Sequence, residues 1–134
     1  MTFYMLDTDT CSYIIANRSD KLRKKMNSVP MASICISVIT YAELCYGVEK
    51  ANSKTVDIAV IEEFTRFLNI FDWTARAAQT YGAIRNQMEK KGCIIGNLDL
   101  QIAAHALSIE ATLITNNVKH FKNVPKLSVS NWLK

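Results

Sequence analysis

FYMLDTDT, residues Phe3–Thr10, decides how the rest of the chain is read. Four apolar residues, Phe3 to Leu6, run directly into Asp7 and Asp9, each followed by a threonine. An apolar run with no polar residue on either face predicts a buried strand, central and parallel. Carboxylates released at the carboxyl end of such a strand stand where open α/β sheets place their ligands. Thr8 or Asp9 also suits the N-cap of the following helix. Asp7, directly at the strand's end, is harder to assign to that role.

Outward from this stretch, strand and helix signals alternate. Cys11–Ala16 carries a short helical pattern, and Asp20 suits the cap of a basic helix over Lys21–Asn27. Ile34–Ile36 reads as a second inner strand, with Ser37 as the N-cap of a helix reaching about Lys50. A further helix is expected from about Thr55 to Leu68, with Val56, Val60, Phe64 and Phe67 at helical spacing. Ile70–Trp73 predicts a third strand. Thr74 then caps a helix to about Lys91, which Gly92 ends. After the loop Gly92–Asn97, a helix over Leu98–Ser108 with Asn97 as its cap precedes strands at Ala111–Thr115 and Leu127–Val129. This alternation predicts an α/β fold with a mainly parallel sheet. With no repeat, low-complexity tract or linker, residues 1–134 read as one domain.

Composition agrees with that reading. Hydrophobic residues make up 49% of the 134-residue chain, with only 4 Gly and 2 Pro, as an ordered globular domain requires. No apolar run is long enough to span a membrane, and no secretory pattern opens the sequence, so the expected location is the cytoplasm. Cys11, Cys35, Cys45 and Cys93 form no CxxC pair and have no neighbouring histidine, which argues against zinc. Cys35 and Cys45 sit in apolar patterns and read as buried free thiols. The net charge is +4, with basic clusters at Arg18–Lys25 and Lys119–Lys126. A basic surface around an acidic pocket suits a polyanion held by its backbone, although an ordinary solvated surface has the same composition.

Three acids fall at predicted element ends: Asp7 after the first strand, Glu43 early in a helix, and Asp99 at the start of another. Glu43 lies among Tyr41, Ala42, Leu44 and Cys45, and Asp99 among Leu98, Leu100 and Ile102. Each has a plainer reading. Thr40–Glu43 matches a capping box, and Asp99 in a first turn complements the helix dipole. Buried together, however, three acids need partners, and a divalent cation is the shared solution. Carboxylate oxygens are the donors that Mg²⁺ and Mn²⁺ prefer. Thr115, Asn116 and Asn117 end a later strand and are expected at the same edge as Asp7, able to hold water or a phosphate oxygen. His105 reads as a packed helix residue and His120 as a surface residue.

Four pieces of the sequence then carry a family resemblance: MLDTDT at the start, ISVITYAELCYG (Ile36–Gly47), IGNLDLQIAAHAL (Ile95–Leu107) and LITNNVKHF (Leu113–Phe121). In this order the chain resembles the PIN-domain ribonucleases of the VapC type, the toxins of bacterial toxin–antitoxin pairs. The resemblance implies a three-layer sandwich, a central sheet flanked by helices, and a Mg²⁺ or Mn²⁺ site at Asp7, Glu43 and Asp99. It also implies endonucleolytic cleavage of structured RNA such as tRNA, inhibition of translation, a homodimer, and neutralisation by a cognate VapB-type antitoxin. Many members carry a fourth acid where this chain has Asn117, so the number of metals stays open. Asn is common at the position of Asp9, which makes Asp9 a supporting ligand or a cap.

The expected roles follow. Asp7 and Asp99 ligate the metal, and Glu43 is the third ligand or a base toward water; Thr8, Thr115 and Asn117 orient water or phosphate. Two other classes compete. Asp7-Thr8-Asp9-Thr10 satisfies the DxDxT pattern of haloacid-dehalogenase-type phosphatases, with Asp7 as nucleophile and Asp9 as acid/base. That reading leaves Glu43 unexplained. A binding module is the third class: an inactive nucleic-acid adaptor, or a phospho-receiver for which Asp72 is the only candidate.

Overall fold

Tyr4–Leu6 (β1) is the middle strand of the sheet, as its unbroken apolar pattern requires. In the computed structural model, which describes residues 2–51 and 57–134, it pairs with Ile34–Ser37 (β2) on one side and Thr112–Ile114 (β4) on the other. Asn69–Phe71 (β3) lies outside β2 and Ser128–Ser130 (β5) outside β4, giving the order β3-β2-β1-β4-β5. Every pairing is parallel, with Leu6 beside Ile114 and Ser37 beside Phe71. All five strands therefore end at one edge. The chain winds outward through β2 and β3, then returns to the other side of β1 for β4. That reversal leaves the topological switch point at the ends of β1 and β4, where such sheets bind ligands.

Alternation along the strands supplies two cores. Met5, Cys35 and Leu113 face one side, packed against Ala75–Lys90 (α5) and Asn97–Ser108 (α6) through Ile84, Met88, Ile102 and Ala106. Leu6, Ile34, Ile36 and Ile114 face the other. There they meet Thr8–Ile15 (α1), Asp20–Asn27 (α2), Val38–Ala51 (α3) and Ile58–Thr65 (α4) through Cys11, Leu22, Leu44 and Ile61. A last short helix, Val118–Phe121 (α7), buries Phe121 in the first core. The expected three-layer sandwich is the observed one.

Several local expectations shift. The cap of α1 is Asp7 itself, whose Oδ1 accepts the Thr10 N–H at 2.8 Å, so neither Thr8 nor Asp9 holds that position. Ser19 caps α2, and Asp20 is its first helical residue. Ser37 precedes α3, and its Oγ accepts the Ile39 N–H as expected of a cap. Thr40 is then the third helical residue, so no capping box forms with Glu43. Thr74 caps α5, and Gly92 follows it at φ 70. Asn97 opens α6 rather than capping it; Gly96 precedes it, and Asn97 accepts a hydrogen bond from the Tyr81 hydroxyl. The expected helix start at Thr55, and Val56, lie outside the described residues. Cys11 joins Cys35 as a buried thiol, whereas Cys45 is only partly covered. Burial pushes the Cys35 thiol up to about 12 and that of Cys11 well above its ordinary value, so both stay protonated.

Candidate active site

At the switch point Asp7 is 6% exposed. Its backbone N–H donates to the Ile114 carbonyl at 3.0 Å, which extends the β1–β4 ladder by one bond and fixes where the side chain starts. Burial raises the pKa of its carboxyl, opposed by hydrogen bonds from the Thr115 hydroxyl and from Thr10, and reinforced by the charge of Asp9. Among the described residues no Lys, Arg or His pairs with it. It is thus a desolvated carboxylate whose partners are neutral donors.

Thr8 joins this acid to the next. The Thr8 Oγ1 donates to Glu43 Oε1 at 2.6 Å and lies 3.5 Å from Thr40 Oγ1. Glu43 therefore reaches across from α3 to the start of α1, not back along its own helix. With Ile15, Leu44, Val48 and Ile61 it lines an apolar groove of about 180 Å³ between α1, α3 and α4.

Asp99 sits in the first turn of α6, as its spacing predicted, and Oδ2 is 2.9 Å from His120 Nε2. His120 is on α7, immediately beyond the Thr115–Asn117 segment that ends β4. It had read as a surface residue; instead its side chain is 30% exposed and turned onto an acid 21 positions back. No short-range signal reveals that pairing, because only the packing of α6 beside β4 creates it. Thr115 is fully buried against Asp7, and its Oγ1 accepts the Asn117 N–H at 3.0 Å. Asn117 itself is exposed. Asn116 turns away toward β5, where its carbonyl and Oδ1 each lie 3.4 Å from Asn131 Nδ2. Asp9 is exposed on the first turn of α1.

The tertiary structure thus brings Asp7, Thr8, Glu43 and Thr115 together at one edge and places the Asp99–His120 pair beside the end of β4. Among the described residues no three acidic, histidine or cysteine side chains stand close enough to share one cation. Asp7, Glu43 and Asp99 instead rest on Thr10 and Thr115, Thr8, and His120. The donor chemistry nevertheless suits a hard divalent cation. All three are carboxylates, and among the described residues the buried one lacks the positive charge that burial normally demands.

A parallel α/β sandwich with carboxylates at its switch point is a frame that the nuclease, phosphatase and receiver readings share. The PIN domain family model matches residues 4–127, and the chain belongs to that family. Ribonuclease VapC2 of Rickettsia felis is 42% identical over 98% of both chains. The tRNA(fMet)-specific endonuclease VapC of Salmonella typhimurium is 36% identical, covering 98% of this chain and 99% of that one. The chain also superposes on the crystal structure of VapBC2 from Rickettsia felis bound to a promoter DNA fragment. The TM-score is 0.90 at 41% identity, covering 98% of this chain and 99% of that one. For DNA-bound VapBC from Salmonella typhimurium the TM-score is 0.92 at 36% identity, with the same coverage.

Proposed function

We propose that this chain is a divalent-cation-dependent endoribonuclease, a toxin that inhibits translation by cutting structured RNA such as tRNA and is neutralised by a VapB-type antitoxin. The observation that carries this reading is Asp7: a carboxylate buried at the switch point, without a cationic partner among the described residues, one residue from the threonine that holds Glu43. Its relatives named as VapC ribonucleases support the activity, and the one named for tRNA(fMet) supports the substrate class.

Asp7, Glu43 and Asp99 are the residues that would hold Mg²⁺ or Mn²⁺. Such a cation lowers the pKa of water and offsets charge developing on the scissile phosphate. The protein's own contribution is orientation. Thr115 and Thr10 hold the Asp7 carboxylate, Thr8 sets the direction of Glu43, and His120 steadies Asp99. Glu43, on the wall of the groove, is the group we assign to take a proton from attacking water. Asn117, whose N–H donates to Thr115, is assigned the orienting of water or a phosphate oxygen. The groove next to Glu43 suits an antitoxin segment that fills it with apolar side chains and presents an Arg to the acids. The solved VapBC complexes of relatives support an antitoxin partner, and the toxin is read as a homodimer. No helix among the described residues is long and apolar enough to cross a membrane; the place of action is read as the cytoplasm, where translation takes place.

The phosphatase reading loses ground, because Asp9, its acid/base, is exposed on α1 while Asp7 is buried as the helix cap. The deciding experiment is sequencing of RNA 5′ ends after brief induction, comparing wild type with Asp7→Asn. Asn keeps the cap. The wild type should produce new ends that the variant does not. Equal cleavage by both proteins would refute the assignment of Asp7.

A further inference from the structure

Three lysines of α2 come together with the last turn of the chain in a way that the acidic site does not use. Lys21, Lys24 and Lys25 stand at i, i+3 and i+4 on one face of α2. They line a cleft of about 410 Å³ whose opposite wall is Ser130, Asn131 and Lys134. All four lysines are exposed, and among the described residues none forms an ion pair. The nearest acid in sequence, Asp20, is already engaged by Arg23 at 2.5 Å. The walls are fixed from beneath, since Leu22 (1% exposed) and Trp132 (3% exposed) pack into the same core.

The cleft adjoins the acidic edge. The Thr115 N–H donates to the Ser130 carbonyl at 3.0 Å, and Asn131 reaches Asn116. From Asp7 the path runs through Thr115 and Asn116 to Asn131, all at the carboxyl ends of neighbouring strands. Because β1 and β5 are separated only by β4, about 10 Å, two strand spacings, divides the strand of the buried acid from the β5 wall of the cleft, which the α2 lysines face. Four unpaired positive charges beside an acidic centre fit one kind of ligand, a polyanion in which one phosphate is processed while its neighbours are held. We infer that the α2–β5 cleft is a binding site for the RNA backbone, taking phosphates that flank the one at Asp7. This rests on the ribonuclease reading above and adds to it the path of the substrate.

The test is binding of unfractionated transfer RNA in chelator by the Asp7→Asn protein, titrated over a range of salt. Each Lys–phosphate contact adds roughly 0.7 to 0.9 to the slope of log K against log salt. Lys21→Gln, Lys24→Gln and Lys25→Gln together should flatten it by between about 2 and 3 and weaken binding at least about tenfold near physiological salt. Removing three charges at the ends of α5 by Arg76→Gln, Lys90→Gln and Lys91→Gln is the matched control, since α5 packs on the opposite face of the sheet. That control should change the slope far less. In a cleavage assay with Asp7 restored, the cleft variant's loss should appear in KM. Equal slopes for the two triple variants, or no change in the cleft variant, would overturn the inference. Absence of cleavage by the wild type would overturn the ribonuclease reading alone, because the slope still reports on the cleft.

Discussion

Asp7 holds two roles in one side chain. It caps α1, and it places a charge where solvent is excluded. The sign of its titration follows from the second role. Its folded-state pKa is raised above 3.8, so the folded protein binds this proton more tightly than the unfolded chain does. The stability gained from the neutral form is complete below the unfolded value and is lost as pH rises through the folded one. At neutral pH the buried charge therefore opposes folding unless a cation meets it. Two thermal measurements check this. In chelator at pH 7, Asp7→Asn should melt above wild type, because the cap is retained and the desolvated charge is gone. Added Mn²⁺ should raise the wild-type Tm, by about 2.7 kcal/mol of stabilisation at one hundred times Kd, and leave the variant nearly unmoved. A wild type indifferent to Mn²⁺ would count against the metal site.

At the scale of elements, α6 and α7 make a unit that orients Asp99. α6 is anchored in its last turn by His105, whose Nδ1 lies 2.6 Å from Ser37 Oγ and whose ring packs edge-on to Trp73. Burial lowers the pKa of that imidazole, so it serves as a neutral strut, in agreement with its reading as a packed helix residue. The loop feeding α6 starts at Gly92, in the left-handed region at φ 70, with open space where a Cβ would sit. Gly92→Ala should then cost only the conformational penalty, about 1–2 kcal/mol, with no clash to relieve. Thermal melting reads that loss directly. A loss well beyond this range would mean that the loop is held by contacts other than its backbone conformation.

For the whole molecule, the two cores share one sheet. β1 contributes Met5 to one and Leu6 to the other, so neither layer can separate without exposing the same strand. We propose on this basis that residues 1–134 form a single domain. Calorimetry should show one transition in which the calorimetric and van't Hoff enthalpies agree. Two resolved transitions would divide the chain. The same sheet explains the division of charge, with acids at the switch point and lysines across β4 from it.

The central strand, its edge carboxylate, the alternation that makes the fold α/β and the four family pieces were all legible in the sequence. They depend on patterns local enough to survive without the fold: apolar runs, caps and short spacings. Glu43 and Asp99 were legible as acids at apolar addresses. Their present partners were not, since Thr8 meets Glu43 across 35 residues and His120 meets Asp99 across 21. The capping-box reading of Thr40 and Glu43 failed because Ser37, itself legible as a cap, starts the helix three residues earlier and leaves Thr40 inside it. The early lysines were visible as a cluster, but not the wall they face. By itself the sequence determined which residues are acidic, basic or buried along each element. Only the tertiary structure decided which of them meet, because parallel strands end together at one edge however far apart they lie in the chain.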